Sequence, residues 1–460
     1  MGRFKSLLLV MLLIGSINSW AQPTAAGKLL HQYLLVQQKR LGFNGVVLIS
    51  KNNRIIYTEV IGRSSVELDV PIKANAVFKI ASITKSITAM LVMIAVREGR
   101  LKLTDSLVTF FPELKEPSWR NITVDQLLSH RSGIPHNEGI ADYMLFKALL
   151  PLTKQQALAE IFKTKLVFNP GTSAKYSSPG YFLLAAILED NYKKSYESIL
   201  KEKITQPLVM NQTGVANTRL VIPNMVSSYH LLGDSLIVAP YRDFSLMKGS
   251  GDMYASAGDL LNWTNSFSGD QWGDIKAQVF APHSGLPLHN NKDLYGYGWF
   301  IHNNAEPTKM AYFHGGGTYG CSALTALYPQ KKISIVILSN ISTLPVNEIW
   351  ADIEKIIFNE PFKLPNKTDK VAINAAELNK MAGHYSTDDG KMQLDIMANN
   401  KQLYAKLGAN PAFEIYPESP LGFYGKKVNI KFTFKQDQEG VITGLLADGR
   451  GQNLSFNKIK

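Results

Sequence analysis

A mixed α/β domain followed by a small all-β domain is the architecture that the sequence predicts, and three observations carry it. Strand-like runs stand near residue 45 and again near residue 300, enclosing a mostly helical middle. Residues 359–370, "NEPFKLPNKTDK", interrupt the pattern with prolines and lysines. Beyond them, short alternating runs recur at intervals of about ten residues, the rhythm of a sandwich or barrel. With 460 residues, 45% apolar and 19% charged, the chain has room for two folded units and is neither disordered nor a multi-span membrane protein.

From the N-terminus, Arg3 and Lys5 precede the apolar run "LLLVMLLI", and "NSWA" ends on a small residue, the layout of an export signal cleaved after Ala21. The run is too short to span a bilayer. The expected division is a signal peptide over 1–21, a first domain over 22–358, a linker over 359–370 and an all-β domain over 371–460, with the mature chain periplasmic or secreted. Cys321 is the sole cysteine, which excludes an intrachain disulfide. The formal charge of +12, less Arg3 and Lys5, leaves +10. No dense basic run accompanies it, so nucleic acid is not an expected partner.

Within the first domain, "LLHQYLLVQQKR" reads as a helix, and "GVVLISKNNRIIYTEVIG" (45–62) as two strands joined by the turn "KNNR". "SITKSITAMLVMIAVREGR" places Ile83, Ile87, Met90, Leu91, Ile94 and Ala95 at helical spacing, with Gly99 as its stop. Strand signals return at "LYGYGWFIH", "GCSALTALYP" and "KKISIVILSN", before a helix at "VNEIWADIEKIIF". Strands from such distant segments predict one mixed sheet with a helical lobe. In the last domain, "MQLDIM", "QLYAKL", "AFEIYP", "IKFTFK", "VITGLL" and "LSFNKI" are the alternating runs.

The chemistry centres on Ser82 and Lys85, one helical turn apart at the start of the most apolar helix. Ser198 with Lys201, and Ser245 with Lys248, share that spacing, so spacing alone decides nothing. A buried helix start offers free N–H groups to a developing oxyanion, and burial makes a lysine a competent base. "PGTSAKYSSPGYFLLAAILE" puts Tyr176 and Ser178 in a polar loop before another apolar helix. A phenol there can relay the serine proton, its pKa lowered by the ammonium. "YFHGGGTYG" follows with His314, a titratable group at the edge of the site, and glycines that let a reacting carbonyl approach the backbone. "HLLGDSLIV" contains G-D-S-L without a later D-x-x-H, and "HRSGIPH" has two histidines without a third ligand at metal spacing, so it reads as a structural loop.

Ser82-Ile-Thr-Lys85, Tyr176-Ser-Ser178 and His314-Gly-Gly316, in that order, resemble the S-x-x-K, Y-x-N/S and K/H-x-G motifs of the serine hydrolases that include class C β-lactamases, D-alanyl-D-alanine carboxypeptidases and related esterases. "LLSHRSGIP", "GSGDMYASAGDLLNW" and "YGYGWF" extend the resemblance over about residues 28–358. It implies a β-lactamase/transpeptidase-like α+β fold: an antiparallel sheet flanked by helices, a helical lobe and a lipocalin-like C-terminal domain. It also implies Ser82 as acylated nucleophile, Lys85 and Tyr176 as acid/base pair, and Ser178, His314, Gly316 and Gly317 as substrate and oxyanion contacts. No metal or other cofactor is implied. The expected substrate is a small peptide, an ester or a β-lactam, cleaved by a carboxypeptidase-like or esterase activity; a β-lactamase or a slowly deacylating penicillin-binding sensor are the alternatives. Two departures stand out: His314 replaces the lysine of dedicated β-lactamases, and Gly315–Gly317 offer no hydroxyl where carboxylate-binding relatives do, Thr318 lying one residue further on.

Overall fold

The computed structural model describes residues 24–459 apart from 144, 218, 233–234, 289–291, 343, 366–370, 400–401, 409–411, 426–429 and 450–451. The expected signal segment, part of the expected linker and Gly233–Asp234 of the G-D-S-L run therefore lie outside the described residues. Among the described residues no helix is long and apolar enough to cross a membrane.

A helix, α1 (Ala25–Leu41), leads into the hairpin β1 (Gly45–Lys51) and β2 (Arg54–Ile61). The turn between them holds Asn52 and Asn53 at φ 52° and 61°, and asparagine tolerates the left-handed region that a two-residue hairpin requires. Next comes α2 (Thr84–Arg97), closed by Gly99 at φ 70°. α3 (Ser178–Tyr192) and α4 (Ala257–Asn265) follow, then β3 (Leu294–Tyr295), β4 (Phe300–His302), β5 (Ala311–Thr318), β6 (Cys321–Tyr328), β7 (Ile333–Ser339) and α5 (Val346–Ile357). The strands form one antiparallel sheet ordered β3-β4-β5-β6-β7-β1-β2, so the N-terminal hairpin pairs with the last strand of the domain.

β1, β6 and β7 are buried almost throughout because both sheet faces are covered. Alternate residues serve opposite cores, as a period of two demands. Val46, Leu48, Ala323, Leu327, Val336 and Leu338 pack toward α2, α3 and α4, whereas Val47, Ile49, Leu324, Ala326, Ile335 and Ile337 pack toward α1 and α5. α2 is central to the first core: from Ile80 to Ala95 every residue is buried except Ser82.

The C-terminal part is a closed barrel of eight strands, from Gly383–Ser386 to Gln452–Lys458. Inward residues such as Leu394, Leu403, Ile415, Phe423, Phe432, Leu445 and Phe456 form its own core. The barrel meets the first domain at Arg40 near the end of α1. The Arg40 guanidinium lies 4.9 Å from the Tyr424 ring centre and donates to Glu418 at 3.3 Å, and the Tyr424 hydroxyl donates to the Arg40 carbonyl at 3.4 Å. This contact is on the α1 side of the sheet, across from α2. A groove between α1, α5 and the barrel, reached by Tyr33, Gln37 and Lys431, shares no residue with the Ser82 cluster.

Candidate active site

The backbone bends sharply before α2. Ala81 has φ +44°, a left-handed conformation that costs a residue with a Cβ about 1–2 kcal/mol, and one 3₁₀ turn (Ala81–Ile83) follows it. The Ile80 N–H bonds to the Met253 carbonyl at 3.0 Å and its carbonyl accepts from Ile83 at 3.2 Å, which holds the bend. Its consequence is that Ser82 alone opens to solvent from an otherwise buried segment.

Lys85 is fully buried. Its Nζ donates to the Ser250 carbonyl at 2.6 Å and to Ser178 Oγ at 3.0 Å, stands 3.2 Å from Ser82 Oγ, and lies 4.7 Å from the centre of the Tyr176 ring. Burial holds its pKa well below the ordinary lysine value, and the Asp252 carboxylate works the other way. Asp252 is itself buried, which pushes its carboxyl up to about 7, although the Gly249 N–H donates to it at 3.0 Å. The turn carrying Ser250 and Asp252 is pinned to α2: Thr88 Oγ1 donates to the Gly249 carbonyl at 2.6 Å, and the Met253 N–H reaches Thr84 Oγ1 at 3.3 Å. Sequence reasoning quoted this segment, "GSGDMYASAGDLLNW", only as part of a resemblance and missed Ser250 and Asp252.

Tyr176 and Ser178 come from the loop that starts α3, capped by Ser177, whose Oγ accepts the Gly180 N–H at 3.2 Å. The two histidines of "HRSGIPH" hold this loop. The Ser177 N–H donates to His130 Nδ1 at 3.2 Å and the Ser178 N–H to His136 Nδ1 at 3.1 Å. Accepting at Nδ1 requires neutral rings, and burial supplies that state: His130 is held well below its usual pKa and His136 at about 4. The loop thus builds the site, beyond the structural role read from the sequence.

Tyr176 corrects a second expectation. Its hydroxyl is hydrogen-bonded to Ser82, but burial holds the phenol well above its ordinary pKa instead of below it. Lys85 faces the ring, and desolvation of the phenolate outweighs that bond.

His314, expected at the edge, is buried. Its Nε2 lies 3.2 Å from the Tyr295 hydroxyl and its Nδ1 2.7 Å from the Gly315 carbonyl, and its ring centre is 6.2 Å from that of Tyr176. Gly316 and Gly317 serve different ends. A Cβ on Gly316 would meet the Ile80 carbonyl at 2.2 Å, so only glycine lets β5 lie against the bend before Ser82. A Cβ on Gly317 would meet nothing within 4 Å: that residue borders open space. Thr318 shares the Gly316 face, and its buried Oγ1 has no hydrogen-bond partner among the described residues. The structure therefore brings all seven sequence-derived residues into one neighbourhood, with Lys85 at its centre.

Comparison with known proteins bears on the family and the fold. The chain is 27% identical over 421 residues to Penicillin-binding protein 4* of Bacillus subtilis (strain 168), covering 86% of this chain and 91% of that protein. Its fold is similar to the octameric penicillin-binding protein homologue from Pyrococcus abyssi, with a TM-score of 0.66 and 22% identity over 94% of this chain and all (100%) of that one. It is similar also to D-amino acid amidase from Ochrobactrum anthropi SV3, with a TM-score of 0.62 and 20% identity over 73% and 99% of the two chains. The Beta-lactamase family profile matches residues 32–355, well over half of the sequence, and the chain belongs to that family of serine hydrolases.

Proposed function

We propose that the protein is an exported serine hydrolase that cleaves an amide or ester bond in a small peptide or related substrate through an acyl-enzyme on Ser82. The observation that carries this reading is the fully buried Lys85 amine, 3.2 Å from Ser82 Oγ and 3.0 Å from Ser178 Oγ. The opposite shifts of Lys85 and Tyr176 divide the labour. Burial favours the unprotonated form of Lys85, which takes the Ser82 proton as Oγ bonds to the substrate carbonyl carbon. Tyr176 stays protonated and gives its proton to the leaving nitrogen or oxygen as the scissile bond breaks; the Lys85 ammonium then reprotonates it. Water attacks the ester by the reverse route. The N–H groups of Ser82 and Gly317 are assigned to the oxyanion, Gly317 because it borders open space. Ser178 orients the amine and the substrate amide, and His314 packs the Tyr176 side of the cleft. Export is supported by the signal-like layout of residues 1–21.

Intact-mass time courses with a penicillin, a p-nitrophenyl ester and a D-Ala-D-Ala peptide test the reading. A transient adduct on Ser82 with product release from the ester or peptide is expected. Absence of adduct and product with all three, or an adduct on another residue, overturns it. A penicillin adduct that persists for hours, with no turnover of the other two, replaces hydrolysis by a sensor role; the 27% identity to a penicillin-binding protein is the reason to include that arm.

A further inference from the structure

A concavity that the steps above do not use has Lys79, three residues before Ser82, in its wall. It has a volume of about 420 Å³, and its walls include Lys79, Asn217, Met225, Val238, Arg242 and Phe244. Three features tie it to the cleft. Lys79 ends the short strand Val77–Lys79 just before the bend, and its carbonyl accepts the Cys321 thiol at 2.5 Å. The turn after Gly317 rests on the pocket wall: a Cβ on Gly320 would fall 1.9 Å from Ser228 Cβ. Arg242 sits between the rings of Tyr319, in that turn, and Tyr143, at 5.3 and 5.0 Å, and donates to the Tyr143 hydroxyl.

The charge in this pocket is one-sided. Lys79 is largely sequestered, its Nζ 5.3 Å from the Phe244 ring centre, and burial lowers its pKa. Arg242 keeps a buried Nε without a hydrogen-bond partner. Among the described residues neither cation is ion-paired with a carboxylate, and no acidic residue lines the walls. Two partly desolvated cations over an apolar floor favour an anion carried on an aliphatic stem, because charge-assisted bonds strengthen out of water. None of the rings that contact Tyr176, namely His130, His136, Tyr295, Phe300 and His314, lines this pocket. If Tyr176 protonates the leaving group, the pocket faces the acyl half of the substrate.

We propose that this pocket is a specificity subsite for a substrate whose acyl arm ends in a carboxylate, read by Lys79 and Arg242. The acyl-side assignment rests on the hydrolase reading above; the anion preference does not.

Two measurements separate these. Ligand-observed NMR with the Ser82→Ala protein compares monomethyl adipate with methyl hexanoate, which have the same chain length and differ in the terminal charge. Binding of the anionic ester alone, weakened by Lys79→Gln and by Arg242→Gln and partly retained in Arg242→Lys, is expected. Equal binding of both esters, or no response to the three substitutions, overturns the subsite whatever the enzyme does. With Ser82 intact, the ratio of kcat/KM for p-nitrophenyl hydrogen adipate over p-nitrophenyl hexanoate is expected to exceed about tenfold, to fall toward unity in Lys79→Gln, and to shrink with added salt. A ratio near one in the unmodified protein overturns the acyl-side placement. Selective binding without hydrolysis of either ester counts against the hydrolase reading and leaves the anion site standing.

Discussion

At Ser82 and Lys85 the lysine is fully buried, bonded to a carbonyl and two hydroxyls, and the serine is the one opening in its segment. At Ser245 and Lys248, three residues apart as well, the serine hydroxyl accepts the Leu152 N–H at 2.9 Å and donates to the Leu150 carbonyl at 3.3 Å, while the ammonium pairs with Glu189 at 3.0 Å. Ser198 and Lys201 differ again, both at the surface. Lys248 is tied to a carboxylate instead of to its serine. Lys85 has serines, a carbonyl and rings around it, with the buried Asp252 as the opposing charge. The same spacing gives a buried, serine-bonded amine in one setting and a carboxylate-paired one in the other because of what the rest of the fold packs against it.

The sharpest way to break this comparison is to remove each serine. Ser82→Ala is expected to abolish the covalent adduct seen by intact mass, whereas Ser245→Ala leaves it at the original rate. The lysines come next. Lys85→Met should slow acylation by at least about a hundredfold, the scale of losing a positioned base, in stopped-flow or single-turnover assays. The same variant should unfold at a higher temperature at neutral pH, because the native state no longer holds a desolvated amine. Linkage sets the sign with pH: between the depressed native pKa of Lys85 and 10.5, the unfolded chain binds the extra proton, so this group makes stability rise with pH across that window. That contribution to the slope of urea stability against pH should vanish in Lys85→Met. Activity on a neutral ester should fall as pH drops through the native pKa, a limb lying well below 10.5.

The glycines sharpen the contrast on the other wall. Gly316→Ala should cost about 1–3 kcal/mol in urea unfolding, since the added methyl would displace β5 from the Ile80 carbonyl, whereas Gly317→Ala should leave stability nearly unchanged. A small effect is also expected at the second pair: Lys248→Met should cost about 1 kcal/mol or less, because Glu189 keeps the Tyr196 N–H at 3.1 Å, and acylation should not change.

Much of the fold was legible along the chain. Two asparagines marked the hairpin turn, and Gly99 marked the end of α2. In the barrel, six alternating runs were visible, but the strands Gly383–Ser386 and Gly422–Gly425 were not, because four residues with terminal glycines carry too little alternation to register. The closing of the eight strands into a barrel is a long-range pairing, Tyr385 with Lys458, that no local pattern announces.

The same boundary runs through the site. By itself the sequence determined which polar groups are available, since Ser82, Lys85, Tyr176, Ser178 and His314 are recognisable by type, order and spacing. It also determined that Ser82 begins a buried helix, because apolar periodicity is local. Only the tertiary structure decided their protonation states and partners. It brought Ser178, 93 positions away, and the Ser250 carbonyl, 165 away, onto the Lys85 amine, turned His130 and His136 into acceptors for the tyrosine loop, and raised the Tyr176 pKa where a lowered one was expected. The reason is that spacing is written in the chain, whereas desolvation depends on everything packed around a group, and desolvation outweighs the other influences on both Lys85 and Tyr176.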